Sequence, residues 1–153
     1  MNRMEDIYPF IQEAFSKDVT FTFPIRGTSM LPLLRTGDLV TIKKIDSELK
    51  RGDIVLFKRF DESFVLHRIL KVNIDSYDIV GDHQGIIEKN VLLGQMIGVV
   101  ISYNKKGKEH HMKNFRYKIY KVLVRSNLLR KMFGRIVKWR IENTRLYFLS
   151  LRY

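Results

Sequence analysis

The stretch from residue 27 to residue 38 reads Gly-Thr-Ser-Met-Leu-Pro-Leu-Leu-Arg-Thr-Gly-Asp and predicts a turn between two apolar segments. Gly27 can adopt backbone angles that other residues avoid, and Pro32 restricts the backbone just after the serine. Such a turn can hold Ser29 outside regular structure, with its backbone N–H free to face a bound carbonyl. This arrangement suits a nucleophile, although a plain turn is the alternative when these residues are considered alone.

Short segments rich in alternating, β-branched or aromatic residues flank this turn and predict strands. They lie at residues 19–23, 39–42, 54–57, 64–72, 77–80 and 94–103. Asp38 and Asp53 each follow a glycine and precede a segment, so we interpret both as turn residues whose carboxylates bond neighbouring N–H groups. Residues 61–62 and 104–107 predict the turns of two hairpins. Many short strands at this spacing predict a coiled all-β domain.

Four ordered sequence boxes resemble those of the signal peptidase I and LexA-like serine peptidase clan. They are Ser29-Met30-x-Pro32 with Gly37-Asp38, Gly52-Asp53-Ile54-Val55, Leu66-His67-Arg68-Ile69, and Gly81-Asp82. The similarity spans about residues 20 to 103. Bacterial signal peptidases and LexA-like repressors carry lysine at the position of His67, so this chain is more similar to archaeal and endoplasmic-reticulum signal peptidases. The resemblance implies a mainly β catalytic domain of the signal-peptidase and LexA-like type.

Ser29 and His67 are the catalytic pair that this resemblance implies. A serine hydroxyl is a weak nucleophile at neutral pH unless a base takes its proton. Histidine suits that role because its ordinary pKa lies near neutral pH. A histidine in the middle of a strand is more often structural, but the position of His67 in its box favours the catalytic interpretation.

Two acids are candidates for holding His67 in one tautomer, as a histidine base usually requires. Asp82 is preferred because it belongs to the Gly-Asp box at the end of a predicted strand. The related enzymes carry a second acid about six residues later, where this chain has Glu88. Glu88 is therefore the alternative, with Asp82 then shaping the loop.

The oxyanion site is expected to include the backbone N–H of Ser29. Many bacterial relatives add a serine hydroxyl two residues before the nucleophile, where this chain has Gly27, so Thr28 is the remaining candidate for a second donor. His83 follows the Gly-Asp box and matches no base position of the family. The four histidines show no metal-ligand spacing, and we expect no metal and no other cofactor.

The two ends of the chain predict helices rather than strands. Residues 3–16 carry apolar side chains at helical spacing, with Pro9 expected to delay or kink the helix. We therefore divide the chain into an N-terminal helix (1–16), a catalytic domain (17–112) and a basic, amphipathic helical tail (113–153). The apolar face of the tail is formed by Leu128, Leu129, Met132, Phe133, Ile136, Val137 and Ile141.

The net charge of +12 resides almost entirely in the tail. Residues 113–153 contain 12 Lys or Arg and one acid, whereas residues 1–112 contain 16 basic and 15 acidic residues. A basic amphipathic segment is typical of helices that lie on anionic membrane surfaces. A partner protein or the chain's own domain is the alternative target, and nucleic acid is a weaker third option because no nucleic-acid-binding motif accompanies the charge.

The composition predicts a cytoplasmic protein that binds the inner face of the membrane peripherally, if it binds membrane at all. There are no cysteines, so disulfides and thiolate chemistry are excluded. The chain has no run of about 18 apolar residues and no charged-then-apolar leader. In this it differs from typical signal peptidases, which carry a membrane-spanning helix next to the serine.

These observations predict a serine endopeptidase that cleaves an extended peptide resembling a signal or leader peptide. The resemblance to small peptidases that mature bacterial ribosomal peptides implies a similar role. A binding module that retains the fold without catalysis is the main alternative. A self-cleaving transcriptional regulator is disfavoured because only one short helix precedes the strands.

Overall fold

The computed structural model describes residues 4–123, together with residues 132 and 135. The fold is mainly β, as predicted, and within residues 4–123 one helix precedes the strands and one follows them. In chain order the elements are α1 (Met4–Ser16), β1 (Phe21–Pro24), β2 (Leu39–Lys43), β3 (Ile54–Lys58), β4 (Phe64–Val72), β5 (Ser76–Val80), β6 (Ile87–Leu92), β7 (Met96–Lys105), β8 (Lys108–His111) and α2 (Phe115–Leu123), with a 3-10 turn at Leu93–Gln95 before β7.

Within the described residues, eight strands form one antiparallel sheet in the order β1-β2-β7-β3-β4-β5-β6, and β8 also pairs with β7. Strand β7 pairs with three other strands. Strand β2 pairs with one edge of β7, whereas β3 pairs with the first part of the other edge and β8 with its last part. The ladder register shifts in four of the strand pairs. Such irregularities bend the bulged strand and increase its local twist.

The sheet has apolar side chains on both faces. Strand β3 has four consecutive apolar residues, and all four are buried. Ile54 and Leu56 belong to one core cluster, whereas Val55 and Phe57 belong to the other. The first cluster also receives Ile11 from α1, and the second lies against β4, β5 and β6. Burial on both faces explains why this strand lacks the alternation of a half-exposed one.

Several turn predictions are confirmed in detail. Asp38 accepts a hydrogen bond from the N–H of Arg35, and Asp53 accepts one from that of Lys50, at 2.8 Å in both cases. The hairpin between β7 and β8 turns at Lys106 and Gly107, whose φ angles are +53° and +79°. Two consecutive positive φ angles are the mark of a type I′ turn, which matches the twist of the flanking strands.

Helix α1 and strands β6 and β8 differ from the sequence-based expectation. Helix α1 contains Pro9 in its interior and runs from Met4 to Ser16 without the late start that was expected. No strand was predicted at β6, where charged and polar residues interrupt the apolar positions, or at β8, whose four residues are all charged or polar. Strand β4 has the bounds that were predicted, and the other strands begin or end within a few residues of them.

Helix α2, the start of the predicted tail, packs against the β domain. The Tyr117 side chain is buried in the first core cluster, and an added Cβ at Gly52 would overlap the side chain of Lys121. A boundary at residue 112 therefore separates α2 from a domain that it contacts. Of the predicted apolar face from Leu128 to Ile141, all but Met132 lies outside the described residues. No helix in the described part of the chain is long and apolar enough to cross a membrane.

Candidate active site

Ser29 lies in a loop that leaves the end of β1 and returns to β2. The base of the loop is closed where the N–H of Ile25 donates to the carbonyl of Asp38 (2.9 Å) and the N–H of Gly37 donates to that of Ile25 (3.0 Å). The Nζ of Lys105 on β7 donates to two carbonyls further along the loop. The φ angle of Gly27 is +89°, a backbone conformation that glycine adopts readily and other residues adopt rarely.

The backbone carbonyl of Ser29 is held by the turn that follows β5. The N–H and Nδ1 of His83 lie 3.4 and 3.2 Å from it. Gly81 approaches so closely that an added Cβ would lie 2.7 Å from the same oxygen. Among the described residues, no group accepts a hydrogen bond from the N–H of Ser29.

Ser29 and His67 line one cleft of about 250 Å³, together with Gly27, Arg59 and Gln84. In the described part of the chain no hydrogen bond joins the Ser29 hydroxyl to His67. Catalytic hydrogen bonds are often long or absent without substrate, so sharing the cleft is the relevant observation. Thr28 is exposed and does not line the cleft, so its hydroxyl is not a neighbour of the serine there.

Glu88 on β6 is the carboxylate that contacts His67. Its Oε1 lies 3.0 Å from Nδ1 of His67. The other partner of Glu88 is Arg59, whose Nε and Nη2 donate to the two carboxylate oxygens at 2.6 and 2.7 Å. Because an ionised carboxylate can only accept, Nδ1 of His67 must carry the proton and Nε2 is left as an acceptor.

The surroundings keep His67 neutral and Glu88 ionised. Burial lowers the pKa of His67 below its ordinary value of 6.5, and the charge and hydrogen bond of Glu88 oppose this only in part. Burial alone would raise the pKa of Glu88, but the hydrogen bonds and charge of Arg59, with a contribution from His67, hold it below its ordinary value. A neutral imidazole beside an ionised carboxylate is the state that a general base requires.

Asp82, the preferred sequence-based candidate for the orienting acid, binds Arg68 instead. Its two oxygens accept from Nε and Nη2 of Arg68 at 2.6 and 2.7 Å, and both side chains are almost completely buried. His67 and Arg68 are consecutive in β4, so their side chains leave opposite faces of the strand. Asp82 lies on the Arg68 side and Glu88 on the His67 side, so the alternative acid is the one in contact with the histidine.

Helix α2 completes the environment of the buried Arg68–Asp82 pair. The Tyr120 hydroxyl donates to Oδ2 of Asp82 at 2.9 Å. Nη1 of Arg68 donates to the Tyr117 hydroxyl at 2.6 Å and to the carbonyl of Gly52 at 2.8 Å. Burial and the charge of Asp82 raise the pKa of Tyr120, so its hydroxyl stays protonated and remains a donor.

A larger apolar groove of about 490 Å³ continues the cleft between β1 and β4. Its walls include Ile25, Phe64 and Leu66, which also line the cleft, and it extends to Met4 and Ile7 of α1. In the described part of the chain, β1 pairs only with β2, and β5 pairs with β4 only from Arg68 onward. Strand β1 and the first half of β4 therefore each have an unpaired edge.

The sequence interpretation assigned no role to Arg59, Arg68 or Tyr120. Arg68 could have been recognised because an arginine within an apolar strand needs a buried carboxylate nearby. The contacts of Arg59 and Tyr120 depend on how β6 and α2 pack, and no local pattern indicates them. His83 matches no base position of the family, yet it contacts the backbone of Ser29.

Comparison with known proteins gives one family. A family model described as Peptidase S24-like matches residues 1–101 of the 153 residues. The matched part includes Ser29, His67, Asp82 and Glu88 and ends before β8 and α2. No curated protein matches the chain. The resemblance to LexA-like serine peptidases is thereby confirmed at the level of the family, and the histidine-base branch stays a prediction.

Proposed function

Because this chain belongs to the Peptidase S24-like family, we propose that it is a serine endopeptidase with Ser29 as nucleophile, His67 as general base and Glu88 as orienting acid. The observation that carries this proposal is the 3.0 Å contact between Glu88 and Nδ1 of His67, in a cleft that Ser29 also lines. Glu88 replaces Asp82 in this role because Asp82 is bound to Arg68.

In the proposed reaction, Oγ of Ser29 attacks the scissile carbonyl carbon while Nε2 of His67 takes the hydroxyl proton. The resulting oxyanion accepts a hydrogen bond from the N–H of Ser29. Collapse breaks the C–N bond, and the imidazolium gives its proton to the leaving amine. Water, deprotonated by His67, then hydrolyses the acyl-enzyme. Glu88 stabilises the imidazolium during both steps and stays ionised.

We propose that the substrate is an extended peptide lying between β1 and the first half of β4. Their unpaired edges can supply backbone hydrogen bonds on either side of such a peptide. The adjoining groove is lined by Phe64, Leu66 and Ile25 and suits apolar side chains on one side of the scissile bond. These features fit a leader or signal-like peptide, so we propose a role in peptide maturation.

A fluorophosphonate probe tests the catalytic assignment without a known substrate. The wild-type chain is expected to form one adduct at Ser29, located by peptide mass mapping. Ser29→Ala should abolish labelling, and His67→Ala should nearly abolish it, because these groups act as one unit. Ser63→Ala is the matched control, since Ser63 lies in an exposed turn. Wild-type labelling of the Ser29→Ala variant would overturn the assignment.

A peptide-binding module without catalysis is the second candidate. It is favoured by the absence, among the described residues, of a hydrogen bond between Ser29 and His67. Both functions predict binding of an apolar extended peptide, but only the peptidase predicts cleavage. An unlabelled wild-type chain that binds such peptides, and releases no products from them, would favour the binding module.

We further propose that the basic tail attaches the protein to the inner, anionic face of the membrane. Residues 113–153 carry 12 basic residues and one acid. In α2, Ile119 and Val122 are 47% and 60% exposed, whereas Tyr117 is buried against the domain. An apolar face directed away from the domain, in a basic segment, supports this attachment. A partner protein that covers this face is the alternative.

A further inference from the structure

The catalytic serine is connected to α2 by an unbroken path of contacts. The path begins at the carbonyl of Ser29, which contacts both His83 and Gly81 in the turn after β5. Asp82 lies between these two residues and is fully buried. The backbone segment that supports Ser29 is therefore the one that carries the buried Asp82 carboxylate.

The Asp82 carboxylate is fixed by two groups from different parts of the chain. Arg68 donates two hydrogen bonds from β4, and Tyr120 donates one from α2. The centre of the Arg68 guanidinium also lies 5.6 Å from the centre of the Tyr120 ring. Hydrogen bonds to a buried charge are strong and directional, so losing the tyrosine hydroxyl leaves one carboxylate oxygen less constrained.

We infer that Tyr120 is a positioning residue for Ser29, acting through Asp82 and the turn formed by residues 81–84. The inference rests on the proposed function for the role of Ser29, but the contacts themselves do not depend on that role. It also means that α2, which lies beyond the region matched by the family model, completes the active site. A chain without α2 would keep Ser29 and His67 but would lose the hydrogen bond from Tyr120 to Asp82.

Tyr120→Phe in the full-length chain is the sharpest test, because it removes the hydroxyl and keeps the ring. We expect the maximal rate of fluorophosphonate labelling at Ser29 to fall about tenfold, since small misplacements of a reacting group are costly. The probe concentration at half-maximal rate should not change, because the groove is untouched. Tyr77→Phe, on β5 and away from α2, is the matched control and should label at the wild-type rate.

A second readout does not require catalysis. The backbone amide resonance of Ser29 should shift in Tyr120→Phe, and it should keep its wild-type position in Tyr77→Phe. His83→Ala, which removes a contact with Ser29 at the other end of the path, should shift the same resonance and slow labelling.

The outcomes separate this inference from the proposed function. Suppose that the wild-type chain is not labelled but the Ser29 resonance shifts in Tyr120→Phe. This result refutes the proposed peptidase activity and supports the contact path from α2 to Ser29. A labelled wild type with an unshifted resonance and unchanged rate in Tyr120→Phe refutes the positioning role alone. Equal loss of labelling in Tyr120→Phe and Tyr77→Phe also refutes it, because any lost tyrosine hydroxyl would then have the same effect.

Discussion

The Oε1 atom of Glu88 lies 3.0 Å from Nδ1 of His67, although the two residues belong to strands separated by β5. The contact crosses β5 at its end, where the chain turns away after Val80. Arg59 holds the same carboxylate with two hydrogen bonds, one to each oxygen. Glu88 is thus fixed independently of His67, as an acid that orients a histidine should be.

Glu88→Gln should lower the rate of turnover by orders of magnitude while leaving the protein folded. An amide can donate as well as accept, so the wrong tautomer of His67 becomes populated and Nε2 no longer accepts the serine proton. The loss of stability should be small because Arg59 is partly exposed and can be solvated. Labelling kinetics together with thermal unfolding measure both effects. Glu62→Gln, at an exposed ion pair, is the control.

Asp82→Asn should lower the stability of the fold, and it should also slow labelling at Ser29 through the turn formed by residues 81–84. Arg68 and Asp82 are 2% and 0% exposed, so the change leaves a buried guanidinium without its counter-charge. Removing one partner of a buried ion pair typically costs about 3–5 kcal/mol in the free energy of unfolding. Urea denaturation measures this cost, with Asp46→Asn at an exposed pair as the control. A variant as stable as wild type would contradict the importance of the pair.

Much of the fold could be predicted because its signals are local. The turns at Asp38 and Asp53 follow from a glycine and a short carboxylate, and β4 follows from its long run of β-branched and apolar residues. Strand β6 was not predicted because Lys89 and Asn90 interrupt its apolar positions, and its hydrogen bonds with β5 depend on tertiary structure. Sequence patterns describe individual segments better than the pairing between them.

The candidate site could be predicted only in part, for a related reason. Ser29 and His67 belong to recognisable boxes, but a choice between two acids requires knowing which face of β4 each one approaches. Alternation along β4 places His67 and Arg68 on opposite faces and thus implies that each needs its own partner. It does not say which acid belongs to which face, and the partner of Arg68 is Asp82.

The rate of labelling at Ser29 should depend on pH as expected for a His67 whose pKa is lowered. Protonated His67 cannot accept the serine proton, so the rate must fall at acidic pH. Because burial lowers the pKa of His67, this fall should occur below 6.5, the ordinary value. In Glu88→Gln the carboxylate that favours the imidazolium is gone, so the fall should move to still lower pH. A fall above 6.5 in the wild type would contradict a buried neutral base.

The same histidine should make stability depend on pH. Below pH 6.5 the unfolded chain protonates His67 while the folded chain still holds it neutral. The unfolded state then binds more protons, so the free energy of unfolding must decrease as the pH falls through this window. His67→Gln removes this contribution, and its stability should be less sensitive to pH between 6.5 and the lowered pKa. Denaturation curves at a series of pH values measure the difference.

Membrane attachment should depend on the tail beyond α2, and the structure suggests where to cut it. A chain ending at Leu123 keeps Tyr117 and Tyr120 against the domain and should remain folded. A chain ending at Met112 loses both contacts and should be less stable. Each basic residue near an anionic surface contributes about 1 kcal/mol, so the intact chain should co-sediment with vesicles that contain phosphatidylglycerol. The chain ending at Leu123 should bind them much more weakly.

Salt and lipid charge distinguish this attachment from protein association. Binding of the intact chain should weaken as salt rises and should be slight on pure phosphatidylcholine, because charge attraction supplies much of the affinity. Replacing both Ile119 and Val122 with serine tests the apolar contribution of α2 and should leave the fold intact, since both side chains are largely exposed. If the intact chain does not bind anionic vesicles, the membrane proposal is wrong, and the tail instead binds a partner protein or packs on its own domain.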